Sequence, residues 1–126
     1  MFRAKTYGYR DIHGLAEQLK EADDFQQLSQ HYESKILFAT SLGGELGVVK
    51  LESLLATALK YKNAECHFLL CDGILPACQL CTYLAFNDRI DKFIEEGPQK
   101  LFCPSCYKDA RKAIEALGFK VHAYSD

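Results

Sequence analysis

The chain has 126 residues, 48% hydrophobic and 25% charged, with a formal net charge of −2. That balance belongs to an ordinary globular domain able to bury a core, and the slight acidity, with Lys and Arg spread along the chain, argues against a dedicated nucleic-acid binder, which needs a basic stripe. No apolar run approaches the roughly 18 residues that span a bilayer, and residues 1–34 alternate charged and apolar positions where a targeting peptide would be uninterrupted, so the expected location is the cytoplasm.

Residues 1–10 have no clear period and read as a short extended or disordered lead. Asp11 is placed to cap the first helix. From Ile12 to about Tyr32, Leu15, Leu19, Ala22, Phe25 and Leu28 recur at spacings of three and four, which predicts that amphipathic helix, with Asp23-Asp24 as its weak point. His13 and His31, near its two ends, read as solvated surface residues. The segment 1–34 is therefore an amino-terminal helical extension, and its apolar stripe must find cover on the main domain or on a partner.

Lys35 to Ser41 is a short apolar, β-rich run that predicts a buried strand. Gly43-Gly44-Glu45-Leu46-Gly47 is a turn. Val48, Leu51, Leu54, Leu55, Ala58 and Leu59 then recur at helical spacing through Tyr61, with Lys62-Asn63 ending the helix, and Cys66 to Cys71 is a second buried strand. Strand, turn, helix and strand in this order form a βαβ unit, which crosses over right-handed and makes its strands parallel. Asp72-Gly73 closes the second strand, and Pro76 stiffens the loop after it. Asn87 or Asp88 is placed to cap a short helix with Ile90, Phe93 and Ile94, ended by Gly97-Pro98. Pro104-Ser105 supplies a proline and a capping hydroxyl for the next helix, which should bury Ala110, Ala113, Ile114 and Leu117 and stop at Gly118. Phe119 to Tyr124 is a third strand.

The fold class is thus α/β: a small Rossmann-like parallel sheet over residues 35–126, flanked by helices, with a cysteine-rich insertion at 71–106. Three parallel strands leave two unprotected edges, so the domain is expected to open a larger doubly wound fold or to need a partner.

Five of the six cysteines lie between Cys71 and Cys106. Cys78 and Cys81 make one CxxC, Cys103 and Cys106 a second, and 21 residues separate the pairs. Each such turn brings two sulfurs to one side of a tight loop, and two turns complete a tetrahedron about a metal. Zinc is the default occupant, an iron–sulfur cluster the competitor, and spacing does not separate them. Cys71 is either an additional ligand or a neighbouring thiol. Cys66, inside an apolar strand, reads as a packed core thiol. Both pairs fall at a strand's carboxyl end or a helix start, where the helix dipole stabilises thiolates. Gly43 and Gly44 at the strand-to-helix turn, with Asp72 after the second strand, are the candidate ligand-binding residues, because ligands of parallel sheets gather at the strands' carboxyl ends. Their spacing is neither the dinucleotide fingerprint nor a P-loop, and a turn alone would also explain the glycines.

The stretch Lys35-Ile36-Leu37-Phe38-Ala39-Thr40-Ser41, the Gly43-Gly44 turn, the helix after it and His67-Phe68-Leu69-Leu70 resemble the amino-terminal Rossmann-like domain of GT-B type glycosyltransferases. Cys71-Asp72-Gly73 through Leu75-Pro76-Ala77-Cys78, with Cys81, the later pair and the ending Leu117-Gly118-Phe119 to Tyr124-Ser125-Asp126, resembles more narrowly a group of bacterial surface-polysaccharide biosynthesis proteins. The resemblance covers about residues 35–126. It implies a domain facing a carbohydrate acceptor, the sugar nucleotide being held by a carboxyl-terminal domain that this chain does not reach, so that the chain by itself should not turn over. No catalytic residue is assignable from spacing. Two other classes compete: a thiol redox or sulfur-relay protein using Cys103-Pro104-Ser105-Cys106, and a non-catalytic module presenting a metal loop; a homo-oligomer is open to all three readings.

Overall fold

The computed structural model describes residues 10–22, 25, 28, 31–39, 42–75, 78, 91, 94, 95, 97, 100 and 102–126. Its central strand, β2 (Ala64–Leu70), alternates strictly: Ala64, Cys66, Phe68 and Leu70 are buried, whereas Glu65, His67 and Leu69 are half-buried. A period of two means that one face of the sheet carries the core and the other does not. The outer strands β1 (Ser34–Phe38) and β3 (Lys120–Ala123) flank β2, and both run parallel to it. Ser34 pairs with Ala64 and Phe38 with Phe68; His67 pairs with Lys120 and Leu70 with Ala123. The expected α/β fold with three parallel, adjacent strands is therefore present, β1 and β2 beginning a residue or two earlier than the apolar runs suggest.

The helices are α1 (Arg10–Glu21), α2 (Leu46–Lys60) and α3 (Cys103–Ala116). Strand order 1-2-3 with right-handed crossovers carries α2 and α3 to the same face of the sheet. The core confirms this: Val49 and Ala56 of α2 and Ala110, Ala113 and Ile114 of α3 form one buried cluster with Phe38, Cys66, Phe68 and Leu70. Phe38 stacks on Phe68 at 4.9 Å between ring centroids, and Phe119 tilts against Phe68 at 5.7 Å. α1 packs on α3, burying Ile12, Ala16 and Leu19 with Phe25 beyond its end, so the amino-terminal extension shares the domain's core.

Several details depart from expectation. α2 is turned over: Val49, Ser53, Ala56 and Thr57 face the sheet, while Val48, Leu51, Leu54, Leu55 and Ala58 of the expected stripe face outward. The small inward side chains let the helix sit close to β2, and the Cys66 thiol reaches the Ala56 carbonyl at 3.7 Å. α1 already includes Asp11 in its first turn, so Asp11 is not the cap. At α3, Pro104 occupies the first turn as expected, but the Ser105 hydroxyl donates to the Phe102 carbonyl instead of accepting from a helix N–H. Gly118 at φ +81 ends α3 as expected, a conformation that a side chain would strain. Asp91, Ile94 and Glu95 are helical, whereas Asn87, Asp88, Ile90, Phe93 and Pro98 of the expected short helix lie outside the described residues. Among the described residues no helix is long and apolar enough to cross a membrane.

Candidate functional site

At the carboxyl end of the sheet three segments meet: the Leu42–Glu45 turn after β1, Cys71-Asp72-Gly73 after β2, and the first turn of α3. Gly43 is what brings the first and last together. A Cβ there would stand 2.7 Å from the Ala110 Cβ and 2.8 Å from the Cys106 carbonyl oxygen, so only glycine allows this docking. The next residue's backbone N–H, that of Gly44, donates to the Cys106 sulfur. The glycine turn offered to a ligand by the sequence thus holds α3 in place.

Cys106 is the centre of a thiol cluster. Burial pushes its pKa up to about 11; the Gly44 N–H opposes the shift, and the nearby sulfurs of Cys78, Cys103 and Cys71 add to it. The loop after β2 and the start of α3 thus place these thiols near enough to feel one another's charge. Cys103 is buried, while Cys71 and Cys78 are half-buried. Cys71 Sγ accepts the Gly73 N–H at 3.4 Å, a contact made by the turn that Gly73 closes at φ 100. No disulfide joins the described cysteines. Among the described residues no three Cys, His, Asp or Glu side chains stand as close as ligands around one ion. Cys81, the partner of Cys78 in the first CxxC, lies outside the described residues.

Asp72 lies beside the cluster. One carboxylate oxygen accepts the Ser125 hydroxyl, and the other, Oδ1, is buried without a hydrogen-bond partner among the described residues. A buried carboxylate oxygen without a donor is costly, which makes Asp72 the group at this end of the sheet most in need of a hydroxyl or N–H. Cys66 behaves differently from the other thiols. It sits in the core, donating to Ala56, and burial raises its pKa although Lys60 pulls it back.

A second polar cluster, not singled out from the sequence, occupies the opposite face of the sheet. The stacked rings of His67 and His122 share a hydrogen bond of 2.7 Å between Nδ1 and Nε2. Glu65 bridges Lys120 at 2.8 Å and Lys35 at 3.4 Å, and stands 3.1 Å from His67. The signal was the outward parity of His67 and His122 on two strands, but only the β2–β3 register shows that they are neighbours. Their partners are one another, so the arrangement fastens three strands together.

Comparison of the chain with protein-family models, with curated proteins and with solved structures gives no match.

Proposed function

We propose that this is the acceptor-side α/β domain of a glycosyltransferase-like protein of surface-polysaccharide biosynthesis, stabilised at the carboxyl end of its sheet by a four-cysteine zinc site. The observation that carries the metal half is the gathering of Cys71, Cys78 and Cys103 around Cys106. Thiols crowded in a half-buried place resist ionising together, and a divalent cation removes that penalty by binding the thiolates. Cys78, Cys103 and Cys106 would supply three ligands and Cys81 or Cys71 the fourth. Zinc suits a closed thiolate site with no open position, and an iron–sulfur cluster is the alternative with the same donor set. The redox reading is less well supported: Cys103 is buried and the Cys106 thiol is pushed away from ionisation, the reverse of what an attacking thiol needs.

The carbohydrate half rests on the resemblance of residues 35–126 to the glycosyltransferase domain and on the Asp72 oxygen that has no partner among the described residues, an acceptor for a sugar hydroxyl. Elemental analysis and the absorption spectrum of the full chain purified without added metal test the metal half. One zinc per chain and a colourless protein are expected, with Cys106→Ser losing the metal and Cys66→Ser retaining it. Single Ser replacements of Cys71 and Cys81 identify the fourth ligand. Metal-free protein, or a brown one, overturns the zinc site. The carbohydrate half is tested separately, by NMR titration of the metal-loaded chain with oligosaccharides; shifts at Asp72 that vanish in Asp72→Asn are expected, and their absence rejects it.

A further inference from the structure

The outward face of α2 is apolar for most of its length. Val48 is 42% exposed, Leu51 68%, Leu54 55% and Leu55 50%, and Tyr61 just past the helix end is 44% exposed. A soluble helix ordinarily turns such residues inward. Here the inward side is taken by Val49, Ser53, Ala56 and Thr57, so the leucines have no cover within the described fold. Gly47 lies on the same outward face, although the fold has no need of glycine there: a Cβ would meet only Glu45 Oε1, at 3.8 Å. Glycine inside a helix lowers its stability, so leaving the position bare favours something that approaches from outside.

We propose that this face binds a second copy of the chain, the two α2 helices packing antiparallel about a two-fold axis between Leu54 and Leu55. The residues on the face are self-complementary about that point. Reversing the helix against itself sets Leu51 against Ala58, Val48 against Tyr61, and Gly47 against Lys62, so that Leu51 and Lys62 meet small residues, Val48 meets an aromatic ring and the two middle leucines meet each other. Gly47, Leu51, Leu54 and Ala58 recur at spacings of four, three and four, the seam by which two helices interlock. Charge agrees with direction: exposed Glu45 lies at the amino end of α2 and exposed Lys62 just past its carboxyl end, so antiparallel packing pairs opposite charges and opposed helix dipoles, whereas parallel packing pairs like with like. A pattern symmetric about its own midpoint is what an isologous contact requires, and an unrelated partner has no reason to mirror it. The five large side chains offer on the order of 400 Å² per chain, roughly 800 Å² per pair, which places the contact among weak, concentration-dependent dimers.

Sedimentation velocity of the full chain, from about 1 to about 500 µM under reducing conditions, reads the association directly. It is run once with chelator and once with zinc, which separates this contact from any linkage through the cysteines. A monomer–dimer equilibrium with a micromolar Kd is expected in both. Leu51→Glu and Leu54→Glu, at positions already exposed, should each weaken it by at least about tenfold while leaving circular dichroism, and Tm at concentrations where the chain is monomeric, unchanged. Glu45→Lys and Lys62→Glu should each weaken it, and the double exchange should restore it. A chain that stays monomeric throughout, or that dimerises as well with either Leu→Glu replacement, overturns the proposal. Failure of the double exchange to restore association overturns the antiparallel arrangement.

Discussion

Helices α2 and α3 pack on the same face of the same sheet and obey different rules. α3 buries the stripe that its periodicity announces, with Ala110, Ala113 and Ile114 wholly inaccessible. α2 is the more apolar helix, with its apolar residues less sharply confined to one face, and it turns its leucines away, presenting Ser53 and Thr57 to the core with Val49 and Ala56. Close approach accounts for the difference. Small inward side chains allow Ala56 to touch Cys66, and Thr57 satisfies its hydroxyl on the Ser53 carbonyl at 2.8 Å, so Thr57 enters the core at modest cost, whereas the Ser53 hydroxyl has no partner among the described residues. Apolar periodicity therefore shows that a helix has a sticky face, while side-chain size along the other face helps decide which one meets the sheet.

Replacing one buried and one exposed residue gives the largest contrast. Ile114→Ala should lower stability by about 2–5 kcal/mol through the cavity it leaves, whereas Leu51→Ala should change the monomer by no more than about 0.5 kcal/mol. Denaturant titration at low protein concentration measures both, and equal losses would show that α2 also buries its leucines. Next in size is Gly43→Ala. Its new methyl would collide with Ala110 and with the Cys106 backbone, which should destabilise the chain by about 1–3 kcal/mol and loosen the thiol cluster, seen as faster alkylation of Cys106. A neutral effect would mean that the Gly43 turn does not hold α3. Ser53→Ala should be smaller and of opposite sign. The Ser53 hydroxyl is buried with no hydrogen-bond partner among the described residues, so removing it should leave stability unchanged or raise it by up to about 1 kcal/mol. A loss well beyond that would reveal a hydrogen bond at the inward face of α2.

The sheet's polar face provides the smallest and most condition-dependent test, because its cohesion is electrostatic where that of the helical face is not. The Lys120 ammonium, then His67, holds the Glu65 carboxyl down at about 2 from its ordinary 4.5. A depressed carboxylate stabilises the fold above its ordinary value, and that contribution is lost as pH falls from about 4.5 through about 2. Glu65→Gln should therefore flatten the acid limb of the Tm-versus-pH curve in that window. An unchanged limb would assign acid sensitivity to other groups.

Much of this protein is determined by local sequence. The run Lys35 to Ser41, the run Cys66 to Cys71 and the glycine turn between them specify a βαβ unit, since a right-handed crossover leaves little choice, although the strands themselves end at Phe38 and Leu70. The stop at Gly118, the burial of Ile114 and the packing of Cys66 were legible for the same reason: each depends on a residue and its immediate neighbours. Other features belong to the tertiary structure because they arise between elements distant in the chain. Cys71 enters the thiol cluster only because β2 ends beside the start of α3. Gly43 is required only because Ala110 comes within reach, and His67 meets His122 only through strand register. The facing of α2 was decided last, by how closely a helix with two candidate surfaces could lie against β2, a competition between burial and approach distance that the sequence of one helix does not contain.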